Sequence, residues 1–265
     1  MITTTDQLDR TIVFKNYPVR IISLVPSQTE LLYDLGLRDE VVGITKFCIH
    51  PDEWFRSKAR IGGTKDLNLE KIKSLNPDLI IANKEENDEN QIRLLMNDFP
   101  VWISDIRNLE DAIEMIRELS RIISKRDIGE NIIEKIGLDF KILKTKNLKL
   151  ISCAYLIWKN PLMTVGGDTF ITEMLKYIGC NNVFAERVRY PQLIQEDLQK
   201  NNPKILFLST EPYPFNEKDI SEFKILLPQT RVILVDGEMF SWYGSRLLKV
   251  AAYFSQLREK IESAL

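Results

Sequence analysis

The chain has 265 residues, 44% apolar and 28% charged, with a formal charge of −2. This composition suits a soluble globular protein of one large or two small domains, and it offers no basic stripe for nucleic acid. Three scattered cysteines (Cys48, Cys153, Cys180) and a single histidine, His50, argue against a disulfide framework and a His-rich metal centre, and favour buried free thiols.

The first ten residues lack a basic region followed by an apolar run, and no window is long and apolar enough to span a membrane. On its own, the N-terminus therefore gives no expectation of export. Residues 11–14 read as a short edge strand and 20–25 as a buried, β-branched strand. Pro26 opens a helix through Leu37, with Ser27 and Glu30 at capping-box spacing; taken alone, that pair reads as a cap. Yet a strand that runs into a helix start presents free N–H groups at its carboxyl end, the edge where open α/β sheets bind ligands. Residues 40–45 form the next strand, followed by a loop carrying His50 and a Gly62-Gly63-Thr64 turn. No Gly-x-Gly-x-x-Gly or Gly-x-x-x-x-Gly-Lys spacing supports a nucleotide site. A helix at 67–75, a strand at 79–82, a polar loop from Asn83, a helix at 91–98 and a strand at 101–103 complete a βα series with a parallel sheet.

Residues 108–146 are the longest run of helical pattern. Asp127 and Glu130 have capping-box spacing, so the pattern predicts a helix at 108–124 and a separate one at 127–146, the latter roughly 30 Å long. The domain reading is an N-terminal α/β lobe at 1–126, a linker helix at 127–146 and a C-terminal α/β lobe at 147–265. The second lobe reads as a strand at 149–158, a helix that opens at 163–169 and ends at Ile178, a strand at 182–184, a helix at 194–201, strands at 205–208 and 231–235, and an amphipathic helix at 244–263.

The two halves share a repeat. Residues 68–80 and 194–206 both read helix, Asn-Pro, strand, and each carries a glutamate, Glu70 or Glu196, seven residues before its proline. Singly, each glutamate is a solvated helix face. As a matched pair they form a two-point dock for a two-fold partner with basic residues.

Residues 20–30, 67–72, 76–80, 179–184, 189–192 and 240–246 resemble the binding proteins of ABC importers for cobalamin, iron-siderophores and haem, a class whose lobes are joined by one helix; the cobalamin binders fit best. The resemblance runs over nearly the whole chain. It implies two Rossmann-like lobes with parallel sheets, a ligand cleft between them, and a monomeric, non-enzymatic protein with no permanently bound cofactor. It further implies ligand contacts at Ser27, His50, Thr64, Asn83, Tyr190, Phe240, Trp242, Tyr243 and Arg246, with Tyr155 and Trp158 as weaker additions. Docking onto an ABC permease would use Glu70 and Glu196. The family's cobalamin binder has aromatic residues where this chain has His50 and Thr64, so His50 either hydrogen-bonds the ligand or reaches a metal held by the chelate.

The expected cargo is a metal chelate, cobalamin or another corrinoid first. A ferric siderophore or haem is the alternative, with His50 or Tyr190 as an axial ligand. The resemblance implies a periplasmic location. The N-terminus leaves open a cytoplasmic corrinoid binder that feeds no transporter. A hydrolase is disfavoured because there is no Gly-x-Ser-x-Gly elbow, and a nitrogenase-cofactor-like cluster protein would need clustered cysteines.

Overall fold

A computed structural model describes residues 1–145 and 149–263 of the chain. They divide into two compact α/β units. The first comprises Met1–Ile106, Glu110–Ile136 and Tyr243–Arg246; the second comprises Arg107–Leu109, Gly137–Trp242 and the chain from Leu247 onward.

In the first unit, β1 (Ile2–Thr5) and β2 (Thr11–Phe14) pair antiparallel as a separate small sheet. β1 is absent from the sequence reading, although Ile-Thr-Thr-Thr is β-branched throughout. Buried Asp6 fixes the corner by accepting the N–H groups of Leu8, Arg10 and Ile103. The main sheet follows: β3 (Ile21–Ser23), α1 (Pro26–Asp34), β4 (Val41–Ile44), α2 (Asp52–Ser57), β5 (Ala59–Arg60), α3 (Leu69–Ser74), β6 (Leu79–Asn83), α4 (Glu89–Met96) and β7 (Val101–Ser104). Its order is β5-β4-β3-β6-β7, every pair parallel. The parallel reading therefore holds, with α2 and β5 added in a stretch too short for periodicity to reveal.

The caps differ from expectation. Val25 occupies the N-cap of α1 without a side-chain bond, and Pro26 sits at N1. Ser27 lies inside the first turn, so the Ser27–Glu30 capping box does not form. α5 (Leu109–Ile122) leads into α6 (Arg126–Thr145), which starts one residue before Asp127. Gly129 N–H bonds the Lys125 carbonyl, so Lys125 holds the cap position, and Glu130 pairs with Arg117 instead of reaching back. The Asp127–Glu130 capping box is thus also corrected. Lys146, the predicted helix end, lies outside the described residues.

The division between units falls within α6, after Ile136, rather than setting the helix apart as a linker at 127–146. The packing explains this. At Gly129 an added Cβ would meet Ser120 Oγ at 2.2 Å, so α5 and α6 approach closely there. Farther along, Phe140 stacks edge-on with Tyr177, centroids 4.8 Å apart, inside the second unit.

In the second unit, β8 (Ile151–Trp158), β9 (Leu162–Thr164), α7 (Phe170–Tyr177), β10 (Cys180–Asn182), β11 (Gln192–Leu193), α8 (Gln195–Asn201), β12 (Ile205–Ser209), α9 (Glu217–Leu226), β13 (Arg231–Val235), α10 (Glu238–Ser241) and α11 (Leu247–Glu262) follow. β8, β12, β13 and β10 pair parallel, whereas β9 and β11 add antiparallel. The sheet is mixed, not purely parallel. Met163 and Thr164, read as the start of a helix opening, instead fold back on β8 within β9, and α7 begins only where Thr169 caps it. One edge of β8 is shared, its first half by β10 and its second by β9. Cys48, Cys153 and Cys180 are buried free thiols.

The internal repeat is visible in the backbone. Asn76 and Asn202, each followed by a proline two residues ahead of a strand, adopt left-handed φ values of 45° and 39°. Asparagine tolerates this conformation better than most residues, so both helices stop at matching points.

Arg258 on α11 closes the far edge of the second unit. It is buried and donates to the carbonyls of Ile178, Gly179 and Lys149, and its Nε lies 2.7 Å from Glu262. Arg258→Leu should lower unfolding free energy by about 2–4 kcal/mol, because the buried carbonyls lose their donor. Urea denaturation measures this, and a loss under about 0.5 kcal/mol would contradict the role.

Candidate functional site

Parallel strands end on one side of a sheet, so each unit gathers its strand-to-helix loops along one edge. In the first unit, this edge carries the α1 start, the 46–51 loop, the 62–66 turn and the 84–88 loop. Two amides set its shape. Asn83 donates to Ser104 through Nδ2, and its Oδ1 accepts the N–H groups of Glu85 and Glu86. Asn87 accepts from Asn83 N–H and donates to the carbonyls of Leu24 and Thr64. Lys65 adds bonds to the carbonyls of Glu85 and Asn87. Three loops are therefore tied to one another. Asn83, expected as a ligand contact, is buried with its amide engaged on both sides, and it shapes the loop instead.

Ser27 is buried, and its Oγ has no hydrogen-bond partner among the described residues. Thr64 and His50 are half-buried on neighbouring loops. Beside them, Phe47 and Ile49 are 51% and 44% exposed. The loop lies at a strand end as expected, but its exposed aromatic is Phe47, which is not among the expected contacts, whereas His50 is. The signal for Phe47 was an aromatic side chain in a loop with no apolar periodicity to bury it.

The segment Tyr243–Arg246 also belongs to the first unit. The Tyr243 hydroxyl donates to Glu86 at 2.6 Å, and Arg246 pairs with Glu30 at 2.8 Å, both partners of the pair being buried. Tyr243 and Arg246 therefore anchor a chain segment through carboxylates that the sequence reading assigned to a loop and a cap.

In the second unit, the corresponding edge follows β8, β10, β12 and β13. Phe240 is wholly buried against Tyr155, Phe207 and Phe254, with centroids 5.2, 6.2 and 4.9 Å away. It is core, which corrects its placement as a ligand contact. Tyr155 is core too: its hydroxyl donates to Ser209 and burial raises its pKa. Trp158 remains 38% exposed and meets Tyr213 edge-on at 5.7 Å. Tyr213, absent from the sequence reading, thus joins an aromatic platform. Tyr190 is half-buried in a loop held by Gly166 N–H to Arg189 O and by Arg189 N–H to Asp168. Trp242 is buried.

One carboxyl stands out. Glu211, after β12, accepts the Ser241 hydroxyl at 2.7 Å and the Trp242 indole N–H. Burial, helped by Glu238 and Asp236, raises its pKa to about 7. Glu70 and Glu196 are exposed in the first turns of α3 and α8. Among the described residues, no three His, Cys, Asp or Glu side chains cluster to hold a metal, and no helix is long and apolar enough to cross a membrane.

A profile described as periplasmic binding protein matches residues 21–225. The chain belongs to the periplasmic binding protein family. A vitamin B12-binding protein of Vibrio campbellii is 28% identical over 259 residues, covering 93% of this chain and 94% of that protein. An uncharacterised ABC transporter substrate-binding lipoprotein of Bacillus subtilis is 31% identical over 268 residues, covering 94% of this chain and 82% of its own. Among solved structures, the periplasmic vitamin B12 binding protein of Vibrio cholerae superposes with a TM-score of 0.80 at 23% identity, over 93% of this chain and 98% of that one. A likeness at that identity supports the shared fold of this periplasmic binding protein, not its ligand.

Glu211 makes stability pH-dependent. Its pKa in the folded protein lies above the ordinary 4.5, so the folded state holds a proton that the unfolded chain releases first. Its contribution is complete below the unfolded value and is lost as pH rises through about 7. Thermal unfolding at a series of pH values should show this decline, and Glu211→Gln should flatten that component; an unchanged profile would contradict the assignment.

Proposed function

We propose that this protein captures a metal-chelate nutrient, a corrinoid such as cobalamin first, for an ABC importer, and works outside the cytoplasmic membrane as a binding protein without catalysis. The observation that carries the reading is the match to a vitamin B12-binding protein over nearly the full length of both chains. Each unit, taken by itself, offers groups suited to a partly apolar ligand. Phe47 and Ile49 on the first unit's edge, and Trp158 with Tyr213 on the second's, offer flat apolar contact, while Ser27, His50, Thr64 and Tyr190 offer polar groups. Tyr243 and Arg246 act mainly by positioning their segment.

Haem is the second reading. A solved structure of a periplasmic heme-binding protein from Vibrio cholerae shares the fold with a TM-score of 0.77 at 18% identity, and half-buried His50 or Tyr190 is of a side-chain type that ligates haem iron. Titration of the purified protein with cyanocobalamin, haemin and a ferric hydroxamate, followed by tryptophan fluorescence, separates these cargoes. Saturable micromolar-or-tighter binding of cyanocobalamin, weakened about tenfold or more by Phe47→Ala, is expected. Haemin binding with a Soret band lost in His50→Ala, and no corrinoid binding, would replace the first reading with the second.

Glu70 and Glu196 sit at matching places in the repeat and remain open to solvent, which suits docking to basic residues of a permease. In vesicles containing the cognate permease, Glu70→Lys with Glu196→Lys should lower transport severalfold while ligand affinity stays unchanged. Full transport by the double variant would remove the docking role.

A further inference from the structure

Glu211 lies where three segments of the second unit meet. Gly237, opening the turn into α10, lies so near that an added Cβ would stand 2.5 Å from Glu211 Cγ and 3.0 Å from its backbone nitrogen. Only a residue without a side chain lets α10 close onto the loop after β12. The Ser241 hydroxyl has two acceptors within reach, Glu211 Oε1 at 2.7 Å and the Gly237 carbonyl at 3.0 Å. It has one proton to donate, so it bonds one acceptor at a time or shares the proton unequally. The Trp242 indole has a single donor, directed to the same Glu211 carboxyl. Asp236 and Glu238 face this carboxyl with like charge, and Tyr155 lies close on the β8 side. Asp236 is itself held through its backbone N–H by the hydroxyl of Tyr253 on α11.

We propose that Glu211 is a proton-operated latch on the Ser241–Trp242 segment. As a carboxylate it accepts both the serine hydroxyl and the indole, and charge-assisted bonds are the stronger kind. As a carboxylic acid it becomes a weaker acceptor, Ser241 turns to the Gly237 carbonyl, and the Trp242 indole is loosened. The shifted equilibrium of this carboxyl places the change near neutrality. Glu211 is thus a positioning residue for Trp242, and through it for ligand capture, the latter link resting on the proposed corrinoid reading. A drop in pH would then favour release.

Protein labelled with 15N-tryptophan gives one indole signal for each of its four tryptophans, and Trp242→Phe identifies the relevant one. In the ligand-free protein, that signal should move along a single sigmoid with a midpoint between about pH 6 and 8, and Glu211→Gln should abolish the movement. Ser241→Ala, which removes a bond to the charged form, should move the midpoint upward, and it tests the latch even if Glu211→Gln fails to fold. No movement of the signal, the same movement without Glu211, or a midpoint unaffected by Ser241→Ala would overturn the proposal. Cyanocobalamin affinity should then be about three- to tenfold weaker at pH 6 than at pH 8, and equal at the two values in Glu211→Gln. Equal affinity in the unmodified protein would overturn the link to capture. Absence of corrinoid binding at either pH would overturn the cargo reading and the link, while the indole titration still decides the latch.

Discussion

The structure depends on parallel strand pairing. β3, β4, β6 and β7 in the first unit, and β8, β12 and β13 in the second, run the same way, so each must be followed by a crossover. The loops that leave their carboxyl ends therefore collect on one edge of each sheet. Side chains from separate loops need no special mechanism to gather there. What remains for the sequence to decide is which of them face solvent and which are locked beneath.

Buried polar groups make that decision. Asn83 and Asn87 tie the first unit's loops together, the Glu30–Arg246 and Glu86–Tyr243 bonds bring Tyr243–Arg246 into the same unit, and Glu211 holds Ser241 and Trp242 in the second. A buried polar group must find a partner, so each of these bonds fixes a loop more narrowly than apolar contact would. The exposed aromatics rest on this frame. Phe47 and Trp158 stay open to solvent on it.

Much of this was legible in the sequence, and the failures share a cause. The strand–helix order, the single long helix near mid-chain and the Asn-Pro repeat follow from periodicity and local turn chemistry, which act over a few residues. The family resemblance also located the edge loops. Burial of individual loop side chains depends on tertiary partners far away in sequence. The resemblance places Phe240 and Asn83 among the ligand contacts, yet one fills the core from α10 and the other braces a loop. Ser27 and Asp127 read as caps because spacing cannot tell a cap from the second position of a helix. The strand β9 was hidden because Met163-Thr-Val precedes a glycine pair that looks like a helix opening.

The central claim is that the loops at the carboxyl ends of the strands form the ligand-binding surface in both units. Hydrogen–deuterium exchange read by mass spectrometry, with and without saturating cyanocobalamin, tests it most directly. The account predicts ligand-dependent protection at residues 46–50, 62–65 and 240–243, and around Trp158 and Tyr213, with no change at the opposite sheet edges near residues 16–20 and 97–100. Protection at those opposite edges, or the same exchange with and without bound ligand throughout the chain, would contradict it.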